Sequence, residues 1–214
     1  LSSATQRGGF TTAAHILSHQ VESNPVTNTS HRAQRWGDPA RALRRLAVSL
    51  GAKQRTVGLM TAVPMTQLVT VRASSGGIWV ECFATVGVTN AVRAGEWPEA
   101  DVHHNLAATP GTINLILVTN VCLSNAAMVG AVQVATESKT GVLRDHAVPS
   151  LTGLSDATGT GTDAVVIACR MRGKGPWHAY SGTHTVIGAL IGQVVTRCIV
   201  RGLAKEKRWR ERHR

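Results

Sequence analysis

The sequence predicts an α+β or mixed α/β fold, a single domain with a mixed sheet packed by helices, on three observations. Strand-like and helix-like segments are interleaved without the strict βαβ rhythm of a doubly wound sheet. Two apolar runs, 68–73 and 78–88, flank Ser74-Ser75-Gly76-Gly77, a turn that makes them an antiparallel pair. Residues 112–121 are a continuous apolar run of the kind that lies inside a sheet with both faces covered. A chain of 214 residues with 43% hydrophobic content suits one large core and needs no metal or disulfide staple.

The elements follow in order. Asp38-Pro39 starts a helix, with a capping carboxylate and a proline at the first helical position; Leu43, Leu46, Ala47 and Leu50 continue it, and Gly51 ends it. The preceding residues 21–37, rich in Asn, Ser and Thr, read as a loop. Strands are expected at 56–62, 68–73, 78–88 and 112–121, with an irregular excursion at 97–110 that carries His103-His104. Ser124 caps a helix over 125–140, whose Ala127, Met128, Ala131, Val134 and Ala135 form an apolar face, and Gly141 is expected to stop it. A Gly/Thr loop at 158–163 feeds a strand at 164–170, and 177–180 is a short strand. Ser181-Gly182-Thr183-His184-Thr185 then opens a long helix with Val186, Leu190, Val194, Cys198 and Ile199 on one side. The expected division is a domain over 1–195 and a basic helical tail over 196–214. The apolar stretch 186–195 falls short of the roughly 20 residues that cross a bilayer, so no membrane span is expected.

The net charge of +11 is unevenly spread. Residues 32–55 hold seven Lys/Arg against one acid, and 205–214 hold six against two, while the remainder is close to neutral. Arg197, Arg201, Lys205, Arg208 and Arg212 recur at helical spacing and form one stripe of a solvated helix. A nucleic-acid partner predicts basic charge over the body and aromatic stacking platforms, and aromatics are only 4%. Cys82, Cys122, Cys169 and Cys198 are widely spaced with no CxxC pair, as expected of buried free thiols in a reducing cytoplasm. Residues 1–10 lack a secretory apolar core, which also points to the cytoplasm.

Chemistry is expected where small and polar residues meet element ends. Thr89-Asn90 with Arg93-Ala94-Gly95, Gly111-Thr112-Ile113-Asn114, and the 158–163 and 181–185 loops qualify. Glycines admit a ligand close to the backbone, and threonine hydroxyls with free N–H groups cradle an anion or oxyanion. His184 falls at a helix start, where the dipole keeps imidazole neutral and suited to a general base, with Asp163 as its orienting partner if the two loops meet. Glu137 reads as a surface carboxylate. His15 and His19 share one helical face but lack a third ligand, so no metal site is expected there. Phosphate-loop, HExxH and GxSxG motifs are absent, and Gly159-Thr160-Gly161 precedes a strand where a dinucleotide fingerprint needs a helix.

Thr158-Gly159-Thr160-Gly161-Thr162-Asp163-Ala164-Val165-Val166-Ile167-Ala168 and Tyr180-Ser181-Gly182-Thr183-His184-Thr185, followed by Gly188-Ala189-Leu190-Ile191-Gly192, resemble the CbiZ-type adenosylcobinamide amidohydrolases. The resemblance extends through Leu1-Ser2-Ser3-Ala4 with Gly8-Gly9, residues 57–62, residues 86–90 with Arg93-Ala94-Gly95, and Gly111-Thr112-Ile113-Asn114. Val186 departs from the polar residue expected after Thr-His-Thr. The resemblance implies corrinoid salvage. An amide joining the aminopropanol arm to the corrin ring is hydrolysed, and adenosylcobyric acid re-enters coenzyme B12 synthesis. On that basis His184, oriented by Asp163, is expected to activate water. Thr158, Gly159, Thr160, Gly161 and Thr162 would line the oxyanion cradle, Asn90 and Asn114 would hold substrate amides, and Thr112 and Thr183 would also bind substrate. A covalent route through Thr112 or Thr160 stays open. No cofactor is identified and a metal requirement is left open; a homo-oligomer is compatible. The rival reading is a non-catalytic corrinoid- or nucleotide-binding protein.

Overall fold

A computed structural model describes residues 1–21, 38–52, 55–97, 111–153 and 156–212. Its centre is a four-stranded sheet in the order β3 (Val69–Ser75), β4 (Ile78–Val86), β6 (Ile113–Thr119), β9 (Ala164–Ala168). β3 and β4 form the expected antiparallel hairpin, turning at Gly76 and Gly77, whose positive φ angles suit a tight two-residue turn. β4 and β6 are also antiparallel, and β6 and β9 are parallel, so the sheet is mixed. Two-residue strands β5 (Ala91–Val92) and β8 (Gly159–Thr160) pair with each other, as do β7 (Cys122–Leu123) and β10 (Trp177–His178).

Alternation divides the sheet's residues between two faces. Val80, Cys82, Ala84, Val86, Ile113, Leu115, Leu117 and Ile167 point into the main core. There they meet α2 (Asn125–Asp145) and α3 (Val186–Arg212). Ile116, Ala164 and Val166 point the other way, against Val57 and Leu59 of β2 (Thr56–Thr61). β2 pairs in parallel with β1 (His15–Gln20), and α1 (Pro39–Ser49) packs on both. The amino-terminal segment ties the layers together through bridges of Ser2 to Val166 and Gln6 to Gly58.

Several expectations are corrected. β1 is a strand, so His15 and His19 stand about 13 Å apart along it and cannot ligate one metal. Gly141 does not stop α2, because Val142 and Leu143 continue its buried stripe to Asp145. Strand 164–170 ends at Ala168, and 177–180 at His178. Val186 is exposed in the first turn of α3, and Ile187 takes the inward place. The 195/196 division falls inside α3, which runs unbroken and buries Cys198, Ile199, Gly202 and Glu206 beyond that point. Burial, offset in part by Arg210, raises the Glu206 carboxyl above its ordinary range.

α3 is also long and apolar enough to cross a membrane by length and composition, but half of that stretch is buried inside the protein. The predicted stripe of Arg197, Arg201, Arg208 and Arg212 is exposed on it, while Lys205 bends in to donate to the Leu68 carbonyl at 2.8 Å. All four cysteines are free; burial raises the Cys122 thiol, and contact with the Cys198 sulfur, then burial, raises Cys82. Loop 21–37 and excursion 97–110, with His103-His104, lie almost wholly outside the described residues.

Two helix glycines give opposite expectations. A Cβ on Gly202 would stand 2.4 Å from Val86 Cγ2, so Gly202→Ala should destabilise by about 1–3 kcal/mol. Gly141 faces open space, and Gly141→Ala should stabilise by about 0.5–1 kcal/mol. Urea unfolding midpoints of the two variants test both signs.

Candidate functional site

One end of the sheet collects the motifs that the sequence scatters. β2 and β4 end there and β6 and β9 begin there, so residues 59–61, 85–90, 111–114 and 158–163 become neighbours. The contacts are direct. Thr85 Oγ1 lies 3.3 Å from Thr61 Oγ1, Asn114 Nδ2 donates to the Met60 carbonyl at 2.7 Å, and Gly87 N donates to the Thr112 carbonyl at 3.0 Å. Thr112 Oγ1 donates to the Thr162 carbonyl at 3.0 Å and accepts from Thr162 Oγ1 at 3.1 Å.

Asp163 is the centre of this cluster. Its Oδ1 accepts from Ile113 N at 3.0 Å and from the Thr160 hydroxyl; its Oδ2 accepts from Thr160 N at 3.1 Å and from Lys139 Nζ. A carboxylate has about four lone-pair positions, and all four are occupied. Lys139 comes from α2 and is buried, so its ammonium gives up hydration that the Asp163 charge must replace. The pair rests against bare backbone at Gly159, where a Cβ would stand 2.5 Å from Asp163 Oδ2 and 2.6 Å from Lys139 Nζ. Around it, Thr140 Oγ1 donates to the Thr158 carbonyl at 3.0 Å, and Thr158 Oγ1 accepts from Ala94 N at 2.8 Å.

Three side-chain oxygens at this end are buried without a hydrogen-bond partner among the described residues: Thr89 Oγ1, Asn90 Oδ1 and Asn114 Oδ1. The first two point at Gly111, where a Cβ would lie within 2.6 Å of each. The two Asn oxygens are acceptors, suited to the N–H groups of a ligand amide, and the Thr89 hydroxyl both donates and accepts. Gly161 and Thr162 are exposed at the turn. Trp97, three residues beyond Ala94 in the chain, is 89% exposed.

The structure brings together Asn90, Gly111, Thr112, Asn114, Thr158, Gly159, Thr160, Gly161, Thr162 and Asp163. It does not bring Thr183 or His184 to them. Ser181 Oγ donates to the Ala127 carbonyl in the first turn of α2, whereas Lys139 lies twelve residues, about 18 Å, further along that helix. The other helix agrees. Gly202 of α3 abuts Val86, which pairs with Ile113 beside Asp163, and His184 lies just before the start of α3, about 24 Å of helix from Gly202. His184 is an exposed residue at the opposite end, so the His184–Asp163 pairing expected from sequence has no geometric basis. Glu137 is exposed as expected and accepts from Gln133 Nε2 at 2.9 Å.

Lys139 is the residue that sequence reading missed. The signal was present: Ala131, Ala135, Lys139 and Leu143 recur every four residues, which places an ammonium on a buried stripe. A cleft of about 990 Å³ opens at the far end between the 11–16 segment and the ends of β6 and β9. It is lined by Met128, Cys122, Cys169 and Trp177 among others, and among the described residues no carboxylate lines it.

The chain matches the family model described as adenosylcobinamide amidohydrolase over residues 1–211. An uncharacterized protein of Methanocaldococcus jannaschii is 31% identical over 173 residues, 73% of this chain and 66% of that protein. A protein of Methanosarcina mazei named adenosylcobinamide amidohydrolase is 31% identical over 77% of this chain and 74% of its own length. One of the same name from Halobacterium salinarum is 34% identical over 50% of this chain and 42% of its own.

The buried pair makes a stability prediction. Lys139→Met leaves the Asp163 carboxylate without its counter-charge and should cost about 3 kcal/mol. Adding Asp163→Asn removes the orphaned charge, so the double variant should recover part of that loss in a denaturant titration.

Proposed function

The chain belongs to the adenosylcobinamide amidohydrolase family, and from that premise we propose that it cleaves the amide joining the aminopropanol arm to the corrin ring of adenosylcobinamide. The products are aminopropanol and adenosylcobyric acid, the latter available for coenzyme B12 synthesis. The observation that carries the chemistry is the Thr160 hydroxyl donating to an Asp163 carboxylate held by buried Lys139.

Thr160 is the nucleophile in this reading. As its Oγ1 attacks the amide carbon, its proton passes to Asp163 and negative charge moves onto the carbonyl oxygen. The total charge of the cluster is unchanged, so the Lys139 ammonium that balanced Asp163 now favours the oxyanion beside it. Collapse breaks the C–N bond, and the departing amine takes the proton from Asp163. Water then attacks the ester on Thr160, giving its proton to Asp163 and releasing the acid as Thr160 is reprotonated. Asn90 and Asn114 accept from substrate amides, and the apolar macrocycle lies against Trp97. Four free cysteines support the cytoplasmic location proposed with this activity.

Turnover is read by chromatography and mass analysis of the corrinoid product. Thr160→Ala and Asp163→Asn should each lower kcat about 100–10,000-fold, whereas Thr160→Ser keeps the hydroxyl and retains activity. His184→Ala should leave the rate unchanged. A full-rate Thr160→Ala enzyme, or a dead His184→Ala enzyme, removes this mechanism.

A further inference from the structure

The amide site leaves the basic charge of the 32–55 region without a role. Part of it faces a separate cavity of about 540 Å³, lined by Gln6, Arg7, Arg44, Ala47, Val48, Ala52, Arg55 and Thr56. Three arginines from three parts of the chain line it. Arg7 follows the Gln6–Gly58 backbone bridge, with N···O distances of 3.0 and 3.1 Å. Arg44 stands on α1 next to Leu43, which is fully buried and fixes that face of the helix. Arg55 directly precedes β2, and its carbonyl accepts from Ala14 N at 2.9 Å.

Among the described residues no carboxylate lines the cavity, and the ion pairs are Lys139–Asp163 and Glu206–Arg210. Three like charges are thus gathered without compensation, an arrangement that an anion relieves. One further feature agrees. Arg7 adopts φ 59°, a left-handed conformation that is costly for a side-chain-bearing residue and of the kind that clusters at active sites, ligand clamps and switch regions.

We propose that this cavity is a binding site for a phosphorylated small molecule, distinct from the amide-cleaving site. Guanidinium forks match phosphate oxygens, and three of them suit a polyanionic phosphate where a lone carboxylate would neutralise only one. The volume exceeds that of one phosphate and accepts a nucleotide-sized ligand. A single-stranded nucleic acid fits poorly, because among the described residues no aromatic lines the cavity for bases to stack on. Thr56 in the cavity and Thr61 at the amide site are separated by about 16 Å of strand, so the two sites are independent.

Isothermal titration calorimetry at fixed ionic strength tests this with pyrophosphate, ribose 5-phosphate, ATP and a single-stranded oligonucleotide. The expected result is saturable 1:1 binding of at least one of the first three. A tighter ATP complex identifies a nucleotide as the source, and equal affinity for pyrophosphate identifies the phosphates alone. Arg44→Ala should weaken binding about tenfold or more, and Arg44→Ala with Arg55→Ala should abolish it, with amide hydrolysis unchanged. Arg7→Gly separates binding from folding: it relieves the left-handed strain, so the ligand-free Tm should rise while affinity falls. The proposal is overturned by no saturable binding at millimolar concentration, by undiminished binding in the double variant, or by an oligonucleotide that binds more tightly than ATP and is not displaced by it.

Discussion

Everything at the working end of the molecule is arranged around one buried charge pair, Lys139 with Asp163. Neither group is stable alone in that position, and each is there because distant parts of the chain hold it. α2 supplies Lys139 from the stripe that packs its neighbours on the sheet, and the turn into β9 supplies Asp163. The remaining carboxylate positions are filled by Ile113 N and by the N–H and hydroxyl of Thr160. The pair therefore fixes where β6 starts, how the 158–163 turn closes and where the Thr160 hydroxyl points. Its closeness to backbone at Gly159 leaves no room for a side chain.

The fold serves this arrangement by bringing strand ends together. In a mixed sheet, antiparallel β4 finishes where β6 begins, and parallel β9 begins at the same level. Loops that lie 24 to about 100 residues apart in sequence become neighbours without leaving the sheet's edge. β2, packed across the second face, adds Thr61 and the Met60 carbonyl. The helices that cover the first face run long, and their two ends have different company. The carboxyl-terminal half of α3 lies by Val86, while its start lies by α2's first turn.

That geometry explains which parts were legible in the sequence. The hairpin, the buried strand and all three helices announce themselves through local periodicity, caps and turn residues, which depend on near neighbours. β1 does not, because its partner β2 lies about 40 residues away and its six residues are only partly buried. The Gly/Thr motifs at 111–114 and 158–163 fall at strand ends that the sheet brings together, because Gly111 and Gly159 allow side chains to approach the backbone closely there. His184 misleads because a helix start reveals the state of an imidazole but not the end of the sheet at which it sits. Lys139 escapes notice for the converse reason. A lysine on a helix normally means a solvated face, and only the four-residue stripe it interrupts shows that it points inward.

The most direct measurement of the central claim is a double-mutant cycle on turnover at Lys139 and Asp163. If the two act as one unit, Lys139→Met and Asp163→Asn each lower kcat/KM severely, and the double variant is no slower than the worse single. If their effects multiply, the residues act separately, and the site is not organised around the pair.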